Sequence, residues 1–359
     1  MRYYRLTILK DGKSIDVNVG GQNVTLGPFD TSKTPSYGLH IEFDILIQSW
    51  DTVTSGTIIT IFGLPVEMLN QSINFEGCQV TLEGGFQAGL PLSNPKQNGV
   101  ILQGKVYTAY ANWLGTNQCL MLSVTPQQFD QVLGSFPIKP ITITGKLNDK
   151  LSDVLNNALK NAYPDYKIEI NISDKLILTE DIDGVYPGGL SQLASQMRSY
   201  SRGLYQNAAY DGVRTTIQDS KIKLWDNAYI PQKIQTIAIK LEELIGQPTW
   251  IEVNTISFKC PMRADIRVSD YIQLSQNPYT SQGRVFFGGS SQVYNYAREK
   301  INFSGYFQII SVRHIGQYLN ADANNAWVTI YEANIVGKPV EQKLRGYSSP
   351  LQKGVTRSG

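Results

Sequence analysis

The feature that most constrains this chain is a two-residue alternation of apolar and polar side chains, which recurs in short segments along much of its length. Segment 38–47 shows it most clearly, with apolar and polar side chains on opposite faces: Leu39, Ile41, Phe43 and Ile45 against His40, Glu42 and Asp44. A period of two is typical of a half-buried strand. Glycine, proline and asparagine separate the segments, as in 93–99. The sequence therefore predicts a mainly β fold of barrels or sandwiches.

The pattern divides the chain into three regions and a tail. Strand-like segments fill 1–135 and return over 241–345, and we interpret each of these regions as a β-barrel. Residues 136–240 change character and predict one or two small α/β modules inserted between the barrels. The tail 346–359 is polar and is expected to be flexible on its own.

The inserted region carries the helical patterns. Apolar spacing predicts a helix over 147–163, capped by Asn148 or Asp149, and a second helix over 191–205. Segments 166–172 and 174–180 predict a strand pair between the helices. Segment 212–226 predicts a hairpin that turns at Asp219 and Ser220.

A weak internal repeat links the two strand-rich regions. Segment 99–124 has a strand with Gly104 near its centre, then a turn and a second strand, and segment 301–333 repeats this order with Gly305. Shorter matching pieces, 75–85 and 266–276, precede the two segments. We interpret this as a duplication, with Gly104 and Gly305 as equivalent strand glycines that mark a bulge or a close approach of two backbones.

Composition favours contacts with proteins over catalysis or tight nucleic-acid binding. The 32 basic and 30 acidic residues give a net charge of +2, and charged residues make up only 17% of the chain. Tyrosines outnumber phenylalanines 20 to 12, as in surfaces that bury a ring and keep a polar tip. A weakly charged surface could still line a channel through which DNA slides.

Catalytic and metal motifs are missing from the sequence. The three cysteines, Cys78, Cys119 and Cys260, are widely spaced and are interpreted as small buried residues. His40 and His314 lie in strands and are interpreted as ordinary surface or interface residues. We therefore predict no catalytic residues, no metal and no cofactor.

Paired carboxylates leave an enzyme alternative open, because a glycosidase needs only two acids at a suitable distance. The candidates by residue type are Glu42, Asp44, Glu76, Glu83, Glu242 and Glu243. The enzyme alternative is therefore an activity that cleaves peptidoglycan.

No membrane span is expected. The N-terminal segment carries charges throughout, unlike a signal peptide, and the longest apolar stretch, 57–69, contains Pro65. These features predict a soluble protein that is made and assembled in a reducing cytoplasm.

Three segments resemble the baseplate hub proteins of contractile-tailed bacteriophages, which share a fold with secretion-system spike proteins. They are 75–89 with 100–110, then 141–161, and then 249–274, in which a strand and a proline bend precede the pattern D-I-x-V-x-D-x-I-x-L. Many relatives have glycine where Ser269 precedes Asp270.

The resemblance implies two tube-like β-barrels per chain and a homotrimer in the baseplate of the virion tail. Three copies would form a pseudo-sixfold ring that adapts a hexameric tail tube to a trimeric spike. The partners it implies are the tail tube protein, the central spike protein and other baseplate proteins, with DNA and the tape-measure protein passing through the lumen. The candidate partner-contact residues in and just before the C-terminal segment 346–359 are Arg345, Tyr347, Pro350 and Arg357. The alternatives to a hub are a tail-associated peptidoglycan hydrolase and a carbohydrate-binding tail module.

Overall fold

The computed structural model describes residues 1–33, 38–48, 57–89, 94–126, 138–205, 210–218, 221–229, 235–252, 255–274 and 306–336. Within these ranges strands predominate, and helices are concentrated in the middle of the chain. The predicted fold class, mainly β with an α/β insert, is confirmed.

The first strand-rich part contains the following strands: β1 (Arg2–Lys10), β2 (Lys13–Val19), β3 (Gln22–Leu26), β4 (Phe29–Asp30), β5 (Ile41–Gln48), β6 (Thr57–Phe62), β7 (Gln79–Phe86), β8 (Gly99–Leu114) and β9 (Asn117–Thr125). A one-turn helix, α1 (Val66–Leu69), follows Pro65. Alternation in β5 is as predicted, because Ile41, Phe43 and Ile45 are buried while Asp44 is exposed.

The insert contains the following elements: β10 (Ile141–Gly145), α2 (Leu151–Ala162), β11 (Lys167–Asn171), β12 (Ile182–Tyr186), α3 (Gly189–Tyr205), β13 (Arg214–Gln218) and β14 (Lys221–Trp225). They form a two-stranded sheet, β10–β12, and a three-stranded sheet in the order β11-β14-β13. The apolar stripes of α2 and α3 pack with these strands into a separate hydrophobic cluster, which runs from Ile141 to Leu224.

The second strand-rich part contains the following strands: β15 (Thr236–Ile239), β16 (Thr249–Trp250), β17 (Thr255–Pro261), β18 (Tyr271–Leu274), β19 (Tyr306–Gln317) and β20 (Trp327–Val336). β15 lies within the predicted insert range 136–240 but pairs in parallel with β18. The main sheet therefore begins again before residue 240.

One sheet runs through both strand-rich parts. Its strand order is β16-β17-β20-β19-β5-β6-β9-β8-β7-β1-β2-β3. The two parts also share one hydrophobic cluster, to which Tyr4, Phe43 and Trp327 all belong. The boundaries of the two predicted barrels and their closure remain predictions.

The first predicted helix begins later than the sequence pattern suggested. α2 starts at Leu151, its N-cap is Lys150, and Leu147 is 53% exposed. Asn148 has a φ of +72° and lies in a turn, and the Asp149 side chain accepts a hydrogen bond from the backbone of Lys146. The predicted capping by Asn148 or Asp149 was therefore wrong, because both side chains belong to the turn before the helix.

Two strand predictions also need correction, whereas the helix over 191–205 agrees with α3 and the hairpin strands over 212–226 agree with the antiparallel pair β13–β14. The predicted turn at Asp219 and Ser220 lies outside the described residues. β11 pairs with β14 in parallel, and segment 174–180 contributes only an isolated bridge at Ile177. The predicted pairing between 166–172 and 174–180 was therefore wrong. Residues 264–270 alternate apolar and polar side chains as a strand would, yet they form a bend, and the strand β18 begins only at Tyr271.

The three cysteines are buried and free, as predicted. In the described part of the chain, the helices are too short or too polar to cross a membrane.

Candidate functional site: two copies of one strand motif

The same five-stranded arrangement occurs twice in the main sheet. In the first part the order in space is β5-β6-β9-β8-β7, and in the second it is β16-β17-β20-β19-β18. Both orders follow the same path through the chain, and every neighbouring pair in both is antiparallel. We call these two units repeat 1 and repeat 2.

A bulge fixes the residue-by-residue alignment of the two repeats. In the β8–β9 ladder the register shifts at Tyr107, between Val106 and Thr108. In the β19–β20 ladder it shifts at Ile310, in the same strand of the motif. A bulge disrupts the ladder at one defined place, so matching bulges indicate matching registers. Tyr107 therefore corresponds to Ile310.

A second landmark lies just before the third strand of each repeat. Gly77 N–H donates a hydrogen bond to the Val106 carbonyl oxygen at 2.8 Å, and Ser269 N–H donates to the Ile309 carbonyl oxygen at 2.8 Å. In return, Val106 N–H donates to the Cys78 carbonyl oxygen and Ile309 N–H donates to the Asp270 carbonyl oxygen, both at 2.9 Å. Gly77 and Ser269 share a φ of +76°. Two independent landmarks therefore give one alignment.

Gly104 lies where two backbones approach closely. A Cβ on Gly104 would clash with the Thr125 carbonyl oxygen and would lie 2.7 Å from the carbonyl carbon of that residue. The bulge alignment pairs Gly104 with Phe307, two residues beyond Gly305. Gly305 itself lies outside the described residues, so its equivalence to Gly104 remains a prediction, and one that this alignment does not favour.

The two repeats join through β5 and β19. Residues Ile47 to Glu42 of β5 pair antiparallel with Val312 to Gln317 of β19. The Arg313 guanidinium binds the Asp44 carboxylate across this junction, with Nε to Oδ1 at 2.8 Å, and the hydrogen bond to Asp44 raises the pKa of Arg313. The junction thus completes the outer edge of the fourth strand of repeat 2.

In the part of the chain that the structure describes, the corresponding edge of repeat 1 is open. β7 pairs with β8 only as far as Lys105, and β9 covers the opposite edge up to Leu114. Among the described residues, no strand pairs with the β7-side edge of segment 108–114. We call this segment the β8 open edge.

Exposed aromatic side chains accompany the open edge. Tyr110 is 39% exposed and Trp113 is 67% exposed, although the other three tryptophans of the described part are all buried. No sequence pattern marks either residue as exposed. Open backbone donors and acceptors next to exposed aromatic rings are typical of a surface that another chain covers.

His314 was predicted to be an ordinary surface or interface residue, and this prediction was wrong. Its side chain is only 2% exposed, and its Nδ1 lies 2.9 Å from Thr329 Oγ1 inside the sheet. Burial, with a smaller contribution from the positive charge of Arg267, lowers the pKa of His314 to about 3. The imidazole is therefore neutral at physiological pH and serves as a packed core residue.

The candidate carboxylates are mostly engaged in structural contacts. Five of the six have a polar side-chain partner: Glu42 contacts His40, Asp44 contacts Arg313, Glu83 contacts Tyr3, Glu242 contacts Lys240, and Glu243 contacts Gln97. A cavity of about 290 Å³ lies in the insert and is lined by none of them, but by Thr179, Ser199, Tyr200, Gly203 and Leu204. Within the described ranges, histidine, cysteine and acidic side chains form no cluster that could hold a metal.

The candidate tail residues Arg345, Tyr347, Pro350 and Arg357 lie outside the described residues. Their role in partner contact remains a prediction.

Comparison with known proteins gives structural similarity without sequence matches. No protein-family model and no curated protein sequence matches the chain. Similar solved structures include the tail protein from Neisseria meningitidis MC58, with 9% identity and a TM-score of 0.46, covering 92% of this chain and 96% of that one. Another is the 43 kDa tail protein of prophage MuSo2 from Shewanella oneidensis, with 8% identity and a TM-score of 0.45, covering 94% and 100%.

A third similar structure is the half-lidded Francisella PdpA-VgrG complex. It has 7% identity and a TM-score of 0.41, and the match covers 94% of this chain and 59% of that one.

Proposed function

We propose that this chain is a structural hub of a contractile phage tail. Three copies would form a ring with two similar repeats from each chain. The observation that carries the proposal is the five-strand motif, which repeats in one chain with the same order and the same bulge.

The duplication would let a trimer match partners of two different symmetries. Three copies of a duplicated chain present six similar units, so one face of the ring can match a hexameric tube. The insert occurs once per chain, so it keeps the threefold symmetry that a trimeric spike requires. A protein with a single motif per chain could not present both symmetries in a trimer.

The same geometry suggests the partners. The tail tube protein would contact the sixfold-like face, and the central spike and other baseplate proteins would contact the threefold face. DNA and the tape-measure protein would pass through the lumen, where a chain with a net charge of +2 would hold the polymer weakly. The site of action would be the baseplate of the virion tail, after assembly in the host cytoplasm.

We assign no catalytic role to the chain. Asp44 ties the two repeats together through Arg313, and Glu83 accepts a hydrogen bond from the Tyr3 hydroxyl at 2.6 Å. These carboxylates therefore stabilise contacts between strands of the sheet, which supports a structural role for the chain over hydrolysis.

Mass measurement in solution tests the proposal. Light scattering and native mass spectrometry of the purified full chain should give three times the 40.0 kDa chain mass at micromolar or higher concentration. Electron micrographs of the oligomer should show rings with threefold or near-sixfold projections. A protein that stays monomeric at every concentration and in every buffer would contradict the proposed hub.

A further inference from the structure

Two sheet edges are left over when the repeats are aligned. Within the chain, the fourth strand of repeat 2 (β19) is completed by the first strand of repeat 1 (β5). The fourth strand of repeat 1 is β8, and its open edge has no strand beside it in the described residues. The first strand of repeat 2 is β16, which stands at one end of the strand order.

The β8 open edge corresponds to the edge of β19, and β16 corresponds to β5. The two leftover edges are therefore the counterparts of the two strands that pair in the β5–β19 junction. A connection of this head-to-tail kind repeats from copy to copy until a ring closes. We propose that the β8 open edge of one copy pairs antiparallel with β16 and the residues after it in a neighbouring copy. The inference rests on the proposed ring and names the surface that would close it.

The alignment also gives the register of this pairing. Thr57 and Ile256 pair with aligned residues, Val124 and Ala333, and so occupy matching positions. The next residues, Ile58 and Ser257, therefore also correspond. Continuing the β5–β6 register by one residue places Asp44 opposite Ile58, and Thr249 lies opposite Ser257. Thr249 therefore corresponds to Asp44, and Ile251 to Leu46.

Arg313 pairs with Leu46 in the existing junction. The bulge alignment makes Tyr110 the counterpart of Arg313. Between copies, Tyr110 should therefore pair with Ile251, and Ala109 with Glu252. Neighbouring antiparallel residues lie about 4.5–5.5 Å apart between Cα atoms, a distance that a disulfide can span.

The side chains at this register suit an interface between copies. Tyr110 would move from partial exposure to contact with the aliphatic Ile251, and the same register places the exposed Trp113 opposite Pro248. Pairing would also satisfy the backbone groups of the β8 open edge, which otherwise invite nonspecific association.

Cysteine cross-linking tests the register. The double variant Tyr110→Cys with Ile251→Cys, oxidised with glutathione disulfide, should run as a covalent trimer on a gel without reductant. A mixture of the two single variants should stop at covalent dimers, because each chain then carries one surface thiol. The native cysteines are buried, so their contribution should be small.

Two matched variants control the experiment. Leu46→Cys with Arg313→Cys occupies the existing junction and should form a disulfide within one chain, leaving the band monomeric. Tyr110→Cys with Glu252→Cys is out of register by one residue, so its thiols lie on opposite faces and should give no covalent trimer.

The outcomes separate this inference from the proposed function. Trimers by mass without Tyr110–Ile251 cross-links, while the junction control does cross-link, would overturn the register and leave the hub standing. Dimers linked through Tyr110→Cys alone would show that β8 pairs with a second β8, and would also overturn it. A monomer by mass before oxidation, for variant and parent alike, would overturn both.

Discussion

Ser269 has the same φ as Gly77 and makes the same backbone hydrogen bond, although it carries a side chain. The left-handed conformation brings a Cβ too close to the backbone, which is why glycine usually occupies such positions. Repeat 1 has the glycine, and repeat 2 keeps the geometry without it. Hydrogen bonding to the strand of the bulge holds Ser269 in this conformation.

Replacing Ser269 with glycine should therefore stabilise the protein. We expect a gain of about 1 kcal/mol, because relief of the left-handed strain exceeds the added entropy of the unfolded chain. Urea unfolding measures the change. The reciprocal variant, Gly77→Ser, should lose a similar amount, and equal stabilities for the two variants would contradict the strain argument.

Gly104→Val should disrupt folding or assembly. The new Cβ would meet the Thr125 backbone, which cannot move without breaking the β8–β9 ladder. We expect a loss of roughly 3 kcal/mol or more, as for severe overpacking. At Gly184 in β12 a Cβ would have no other atom within 4 Å, so Gly184→Val is the matched control and should fold normally. A parent-like melting temperature for Gly104→Val would contradict the close approach.

The same measurement on Gly305→Val tests the equivalence with Gly104. If the bulge alignment is correct and Phe307 is the true counterpart, Gly305→Val should cost less than Gly104→Val. Equal losses would support the equivalence inferred from the sequence.

His314 should make stability fall as the pH falls. Its folded-state pKa, about 3, lies below its ordinary value of 6.5. Below pH 6.5 His314 is protonated in the unfolded chain, but in the folded chain it stays neutral until about pH 3. The free energy of unfolding therefore falls as the pH is lowered between these two values. The loss should approach about 1.4 kcal/mol per pH unit.

His314→Asn removes this titration and keeps a polar atom near Thr329. Urea unfolding of variant and parent between about pH 7 and pH 5 isolates the histidine, because most carboxylates titrate lower. Parallel pH curves for the two proteins would rule out this role.

Trp113→Lys should weaken assembly without weakening the fold. Trp113 is 67% exposed and packs little within the chain, so unfolding should shift by no more than about 0.5 kcal/mol. A lysine beside the β8 open edge should raise the trimer dissociation constant at least tenfold. Val185→Lys, on an exposed strand of the insert, should leave the trimer unchanged. Unaltered assembly of Trp113→Lys would place the interface elsewhere.

Local pattern predicted the strands well and the bends poorly. The alternation in β5 and the apolar stripe of α3 were readable because each is repeated along its element. Residues 264–270 also look like a strand, yet they bend, because the positive φ of Ser269 depends on a hydrogen bond to Ile309 that lies far away in sequence. α2 starts late for a similar reason, since the turn before it is fixed by tertiary contacts.

The candidate interface was only partly accessible to sequence reasoning. The duplication was visible as two similar strand-turn-strand segments, but their register was not, because the bulges at Tyr107 and Ile310 leave no distinctive residue type. The buried position of His314 and the open edge of β8 depend on which strands become neighbours. The pairing of β5 with β19 decides which strands are neighbours, and local sequence patterns do not predict this long-range pairing.

This junction has a consequence for synthesis at the ribosome. Asp44 and Arg313 are 269 residues apart, so β5 emerges long before the strand that will cover it. Until β19 is synthesised, the edge of β5 in the nascent N-terminal part has no strand to pair with. The insert has its own hydrophobic cluster and can fold before that point. Truncated chains that end before residue 311 should therefore be the aggregation-prone products of expression, and slow translation of the codons just before β19 should lower the soluble yield.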